Sequence, residues 1–138
     1  MNDQNKEQMN LSDGETVSGQ LELKTFAMPK DTNANGDIFG GWVLSQMDLA
    51  AGVTAREKAR GRVATIAIDA MKFVRPVRVG DLLCVYCSIV KIGNTSVRIS
   101  VEAWVERYQY GVRKKVTEGI FTFVAIDEEG RPRPIPTA

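Results

Sequence analysis

The 138-residue sequence predicts an α+β fold in which an antiparallel β-sheet wraps around one long central α-helix. Three observations lead there. A single long stretch carries helical periodicity, and it comes early. Four extended segments follow it in succession, and the breaks between them are hairpin-sized and rich in turn formers. The length suits one domain, and no repeat or linker divides the chain.

The first twenty residues, MNDQNKEQMNLSDGETVSGQ, are polar and read as a flexible N-terminal arm, with the folded domain spanning 21–138. They carry no apolar core of a leader peptide, and no later run approaches the roughly 18 apolar residues of a membrane span, so a cytoplasmic protein is expected. LELKTFAM (21–28) alternates as a strand does, and Pro29 stops it. After a loop over 30–40 the helix runs roughly from 41 to 59 and ends in the charged REKARGR. The remaining strands are VATIAIDAMKFV (63–74), LLCVYCSIVKI (82–92), TSVRISVEAWVERY (95–108) and KVTEGIFTFVAI (115–126). RPVRVGD, Gly93-Asn94, Tyr110-Gly111 and DEEGRP separate or close them. In the segment 95–108, Val97, Ile99, Val101, Ala103 and Val105 share one face; Arg98, Ser100, Glu102, Trp104 and Glu106 share the other. Such strict alternation predicts a sheet covered on one side only.

Composition excludes several functions. A net charge of +1 and 25% charged residues give no bulk electrostatic case for nucleic-acid binding. The chain has no histidine, which removes Ser-His-Asp and Cys-His triads, imidazole general bases and every metal site built on imidazole. Cys84 and Cys87 spell a CxxC, but in a strand positions i and i+3 point to opposite faces, and a zinc site would need two further ligands. They read as ordinary strand cysteines, and no metal is expected.

What chemistry remains converges on residues 32–52, TNANGDIFGGWVLSQMDLAAG. Leu44, Met47, Asp48, Ala51 and Ala55 share a helix face, which places Asp48 in an apolar stripe. A buried carboxylate is costly unless paired, so Asp48 must meet a cleft, a subunit boundary, a hydroxyl or a basic partner. Upstream, Asn33, Asn35, Gly36 and Asp37 form a turn-rich approach to Gly40 and Gly41, which open the helix. The first amides of a helix lack intrahelical partners, and glycines let an oxygen that gains negative charge approach them. A donor site plus a carboxylate suggests acyl transfer to water. Asp48 lies seven or eight residues beyond the glycines, about 10 to 12 Å along the axis. Both cannot come within about 3 Å of one carbonyl. If both act, they belong to different chains and the site lies at a homodimer interface.

The run Asn33, Gly36, Gly40, Gly41 and Asp48 resembles the N-x-x-G-x-x-x-G-G signature, followed by an apolar helix with an aspartate, of hotdog-fold acyl-CoA thioesterases. MKFVRPVRVGDLL resembles the F-x-x-P-x-x-x-G-D stretch of the same superfamily through Phe73, Pro76, Gly80 and Asp81. From 21 to 136 the chain is similar to the bacterial YciA-type thioesterases, which hydrolyse a broad range of acyl-CoAs. The resemblance implies a hotdog fold whose dimers assemble further, into tetramers or hexamers, with sites between subunits. It implies Asp48 as the catalytic carboxylate, attacking the thioester or activating water. It also implies the Gly40 or Gly41 amide of the other subunit on the thioester oxygen, with Asn33 orienting water or substrate.

Coenzyme A would be part of substrate and product, with no separate cofactor. Candidates for holding it are Lys91, Gly93, Asn94, Thr95, Ser96 and Arg98 around one turn, Arg62, Thr65, Lys72 and Arg75 on and beside the second strand, and Arg131 and Arg133 near the end. Phe39 stands where many hotdog relatives place a histidine, which argues against a dehydratase. The alternative is a non-catalytic acyl-CoA-binding sensor; a DNA-binding regulator would need more than twenty polar residues to build its own core.

Overall fold

Period-two and helical-period segments take their expected forms in the computed structural model, which describes residues 16–107 and 110–137. In chain order these are β1 (Gln20–Phe26), α1 (Gly40–Ala59), β2 (Val63–Phe73), β3 (Leu82–Ile92), β4 (Ser96–Glu106) and β5 (Arg113–Ala125). A single 3-10 turn, Pro29–Asp31, interrupts the loop before α1. The strands form one antiparallel sheet in the order β1-β3-β4-β5-β2. α1 packs against all five, as the α+β reading expects.

The core lies between helix and sheet. Val43, Met47, Ala50, Ala51, Ala55 and Ala59 face it from α1, and their small side chains let the helix sit close to the sheet. Leu83 and Val85 from β3, Val97, Ile99 and Val101 from β4, and Phe121 and Phe123 from β5 complete it. Each such aliphatic or aromatic side chain contributes roughly 1.5–3 kcal/mol on burial.

The expectation of a sheet covered on one side only is corrected. Trp104 is 0% exposed and Glu102 5%, although both lie on the face opposite the helix. There Cys84, Tyr86 and Trp104 form a second cluster, against which Val17, Leu21 and Leu82 pack. The polar groups of this face can be buried because they are paired. Glu102 Oε1 accepts from the Ser18 amide at 3.1 Å and from Trp104 Nε1 at 3.0 Å. Arg113 donates to the Tyr86 hydroxyl at 2.5 Å, and the Lys115 ammonium stands 5.8 Å from the Trp104 ring centroid. Residues 1–15 of the expected arm lie outside the described residues, but Val17 and Ser18 already belong to this cluster.

Cys84 and Cys87 are buried thiols in opposite clusters, as strand geometry requires. Burial, with the Glu22 carboxylate adding to it and a Thr54 hydrogen bond opposing, pushes the Cys87 thiol up to about 12.

The connection from β2 to β3 is fixed by a buried clamp. Asp81, 1% exposed, accepts from Arg107 Nε and a terminal Arg107 nitrogen, each at 2.8 Å, and from the Arg78 amide at 2.8 Å. Gly80 takes φ +94°, open to glycine, and donates its amide to the Ala27 carbonyl at 2.8 Å. The loop is thereby tied to the end of β1.

Candidate active site

The approach to α1 is a closed loop. Asn33 Oδ1 accepts from the amides of Asn35 (2.9 Å) and Asp37 (3.1 Å), and the Asn33 amide donates to the Asp37 carbonyl at 2.7 Å. The side-chain oxygen of Asn33 therefore holds the loop that aims the helix start. Phe39 caps α1 without a side-chain hydrogen bond, and its carbonyl takes the amides of Trp42 (3.1 Å) and Val43 (3.4 Å). None of the described residues accepts from the Gly40 or Gly41 amide. A Cβ on Gly41 would meet nothing within 4 Å, so this helix start is open to an approaching group. Beside it lies a cavity of about 340 Å³ lined by Gly40, Ile38, Val43, Phe73 and Arg75.

Asp48 stands two turns along. Met47, Ala51 and Ala55 of the expected stripe are fully buried, but Asp48 is half-buried at the stripe's margin, next to Leu49, which is 61% exposed. One residue advances a helix by about 100°, and that step carries the carboxylate from the core to its edge. There Thr65 Oγ1 donates to Asp48 Oδ1 at 2.7 Å. The register of β2 against β5 shifts between Thr65 and Ala67, a bulge of the kind that re-aims a side chain. Asp48 and Thr65 border a cavity of about 490 Å³ with Gly52, Val53, Phe123 and Ile126 as its apolar walls and Arg56 and Arg62 as its cations. The Arg62 guanidinium also reaches the carbonyls of Asp127 and Glu128, each at 3.5 Å.

The two halves of the expected site thus open on different cavities of one chain. Gly41 and Asp48, seven residues apart on α1, are about 10 Å apart along its axis and emerge within about 20° of the same side. Leu49 (61% exposed), Val53 (45%), Ile66 (59%) and Phe73 (46%) leave α1 and the edge strand β2 with exposed apolar surface.

The expected coenzyme A contacts do not gather in one place. Arg62 and Thr65 lie at the Asp48 cavity; Lys72 lies near the far end of β2 and Arg75 just past it, and even Thr65 and Lys72 are roughly 20 Å apart at the strand rise. Arg75 lines the Gly40 cavity and donates to the Lys115 carbonyl at 2.8 Å, while Lys72 opposes Glu118. Gly93 and Asn94 line a third cavity, about 300 Å³, with Lys58 and Ile135. Around that turn the Ser96 carbonyl accepts from Gly93, Thr95 from Ala125 and Asn94 from Ile135. Lys91 and Arg98 are exposed and adjacent in the β3–β4 register. Arg131 is exposed; Arg133 donates to the Ile126 carbonyl at 3.1 Å. Sequence reasoning passed over Arg56 and Gly52, although they follow Asp48 at i+8 and i+4. Among the described residues no group of three or more histidine, cysteine, aspartate or glutamate side chains could hold a metal ion. No described helix is long and apolar enough to cross a membrane.

The chain is similar to several known proteins. The family described as Thioesterase superfamily matches residues 35–110. Acyl-CoA thioester hydrolase YciA of Salmonella typhimurium is 52% identical over 124 residues, covering 88% of this chain and 93% of that protein. The crystal structure of HI0827, a hexameric broad specificity acyl-coenzyme A thioesterase, is 50% identical with a TM-score of 0.85, covering 89% of this chain and 85% of that one. Cj0915, a hexameric hotdog fold thioesterase of Campylobacter jejuni, is 41% identical with a TM-score of 0.80, covering 86% of this chain and 91% of that one.

Proposed function

The chain belongs to the thioesterase superfamily, and from that premise we propose that it hydrolyses acyl-CoA thioesters to free coenzyme A and a carboxylic acid, in an active unit of at least two chains. The observation that carries this reading is the pairing of Asp48 with Thr65 at the mouth of a largely apolar cavity, on the same helix as the unspent amides of Gly40 and Gly41. The carboxylate supplies acid-base or nucleophilic chemistry in a chain with no histidine. The helix start supplies donors for the oxygen that becomes negative as the carbonyl carbon turns tetrahedral. Because the two lie about 10 Å apart in one chain, a second copy in antiparallel pairing completes each site, bringing its glycine amides to the first copy's Asp48.

In the general-base form of the reaction, Asp48 takes a proton from water as the water oxygen bonds to the thioester carbon. The carbon–sulfur bond then breaks and the proton passes to the departing sulfur. In the nucleophilic form, Asp48 bonds to that carbon and the carbon–sulfur bond breaks, the coenzyme A thiolate leaving and taking a proton; water then cleaves the resulting anhydride into the free acid and the regenerated Asp48 carboxylate. Incorporation of labelled water oxygen into Asp48 in a single turnover identifies the second route. Under either form coenzyme A is substrate and product, and no resident cofactor takes part. The similarity to a broad specificity enzyme supports a broad acyl range, and the hexamers among the relatives support assembly beyond the dimer. A cytoplasmic location completes the reading.

The test is thiol release from acetyl-CoA, a medium-chain and a long-chain acyl-CoA. Release above background is expected with at least one of them; none across the series overturns the proposal, and binding without release supports a sensor instead. Asp48→Asn keeps the shape and removes the charge, so it lowers kcat by about a hundredfold or more. Parental turnover in that variant clears Asp48 of a catalytic role.

A further inference from the structure

We infer that Phe73 is a positioning residue of the donor half of the site, whose ring covers one flank of the start of α1 and keeps water from the unspent glycine amides; this rests on the thioesterase reading. Strand β2 carries two bulges. Thr65 and Ala67 pair with the adjacent Phe123 and Thr122, and Asp69 and Lys72 pair with Ile120 and Glu118, so each irregularity adds one residue to β2. In the second bulge Ala70 takes φ +59°, a left-handed conformation uncommon outside glycine. Unbroken alternation from Thr65, which faces Asp48, would aim Ala67, Asp69, Met71 and Phe73 at the helix. The first bulge instead brings Ile68 against the core and leaves Asp69 exposed. The second restores the original parity, so that Met71 packs on the core and Phe73 reaches α1. With the first bulge alone, Phe73 would face away from the site.

That aim is held on both sides of Phe73. Thr117, 1% exposed, donates its hydroxyl to the Lys72 carbonyl at 2.8 Å, and the Val74 amide donates to the Val116 carbonyl at 2.8 Å. Gly119 leaves room for the bulge, since a Cβ there would run into Met71 Sδ and stand 3.2 Å from the Asp69 carbonyl oxygen. A strained residue persists only where its surroundings hold it, and what the strain at Ala70 yields is the direction of Phe73. The ring ends at Gly40: Cζ lies 3.6 Å, and Cε1 and Cε2 each 3.9 Å, from where a Cβ on that glycine would stand. Gly41 has nothing within 4 Å, so Phe73 covers one flank of the helix start and leaves the other to an incoming oxygen. Ile38, Val43 and Val77 continue the apolar wall, and Arg75 beside them donates to the Lys115 carbonyl at 2.8 Å. Backbone donors next to apolar surface lose competing water, and their hydrogen bond to a developing oxyanion gains strength at the lower local dielectric.

The experiment measures butyryl-CoA hydrolysis alongside inhibition by the trifluoromethyl ketone analogue of butyryl-CoA, whose hydrated carbonyl imitates the tetrahedral carbon. Phe73→Ala should lower kcat about tenfold with KM little changed, and weaken the ketone by the same factor, while affinity for coenzyme A itself stays parental. Phe73→Leu should recover most of both losses, because an apolar cover is kept. Three results overturn the inference: parental kcat in Phe73→Ala, a kcat loss with the ketone's affinity unchanged, or a loss that tracks dissociation into single chains by light scattering. The last would make the ring a contact between chains and nothing more. If the parent releases no thiol from any acyl-CoA, the thioesterase reading fails separately; calorimetry with the ketone, parent against Phe73→Ala, still decides whether the ring supports the amides.

Discussion

Thr65 shows how a carboxylate can sit at the margin of an apolar core. Its hydroxyl satisfies one oxygen of Asp48 at 2.7 Å and fixes the direction in which the other points. In the proposed reaction it acts through Asp48, as a positioning residue. Thr65→Val removes the hydroxyl while conserving volume, so kcat should fall about tenfold with KM for acyl-CoA little changed, and Thr65→Ser should restore most of it. Equal losses in both variants, or a change confined to KM, would assign Thr65 to substrate binding instead. Asp48 was legible in the sequence because the absence of histidine left few other acid-base groups in a suspicious place. The partnership with Thr65 was not, because it depends on a bulge at residues 65–67 that leaves no mark on the alternation of β2. Arg56 was missed for a different reason: in a charged terminal turn it looks like any solvated arginine, and only the cavity beside it sets it apart.

Among the elements, strand and helix limits followed period and turn chemistry closely, and α1 begins one residue earlier than expected. The outer face of β4 is where pattern and structure part. Alternation counts Glu102, Trp104 and Glu106 as polar, yet amphipathic and charged groups can be buried when neighbours complete their hydrogen bonds, and here β1's approach, β3 and β5 do so. The β2–β3 connection teaches a related lesson. Asp81, part of the motif that carried the family resemblance, faces no cavity of the site; it is the acceptor that Arg107 and the Arg78 amide share. Asp81→Ala removes a buried acid and leaves the partly exposed Arg107 guanidinium and the Arg78 amide without it, which should destabilise the fold by about 1.5–3 kcal/mol in urea unfolding. The folded fraction should keep its kcat. A stable variant with impaired turnover would move Asp81 from scaffold to chemistry.

For the whole molecule, the decisive quantity is the interval between glycine and aspartate. If both groups act on one carbonyl, helix arithmetic from the sequence requires two chains; the number of chains beyond two was not legible, since nothing in the pattern of one chain encodes how dimers meet. The two-chain site predicts complementation. Gly41→Val places a side chain where a Cβ meets no neighbour, so the chain should fold but block the donor site. Asp48→Asn disables the other half. Each variant alone is expected to be inactive, whereas co-expressed chains pairing at random should regain roughly a quarter of parental turnover, because one site in each mixed dimer is intact. No recovery in verified mixed dimers would place both halves in one chain. The same helix therefore works as a ruler as well as a scaffold. Inserting or deleting a single residue between Gly41 and Asp48 would swing the carboxylate about 100° around the axis while shifting it only about 1.5 Å. This short stretch should accept substitutions at its solvent-facing positions far more readily than any change of length.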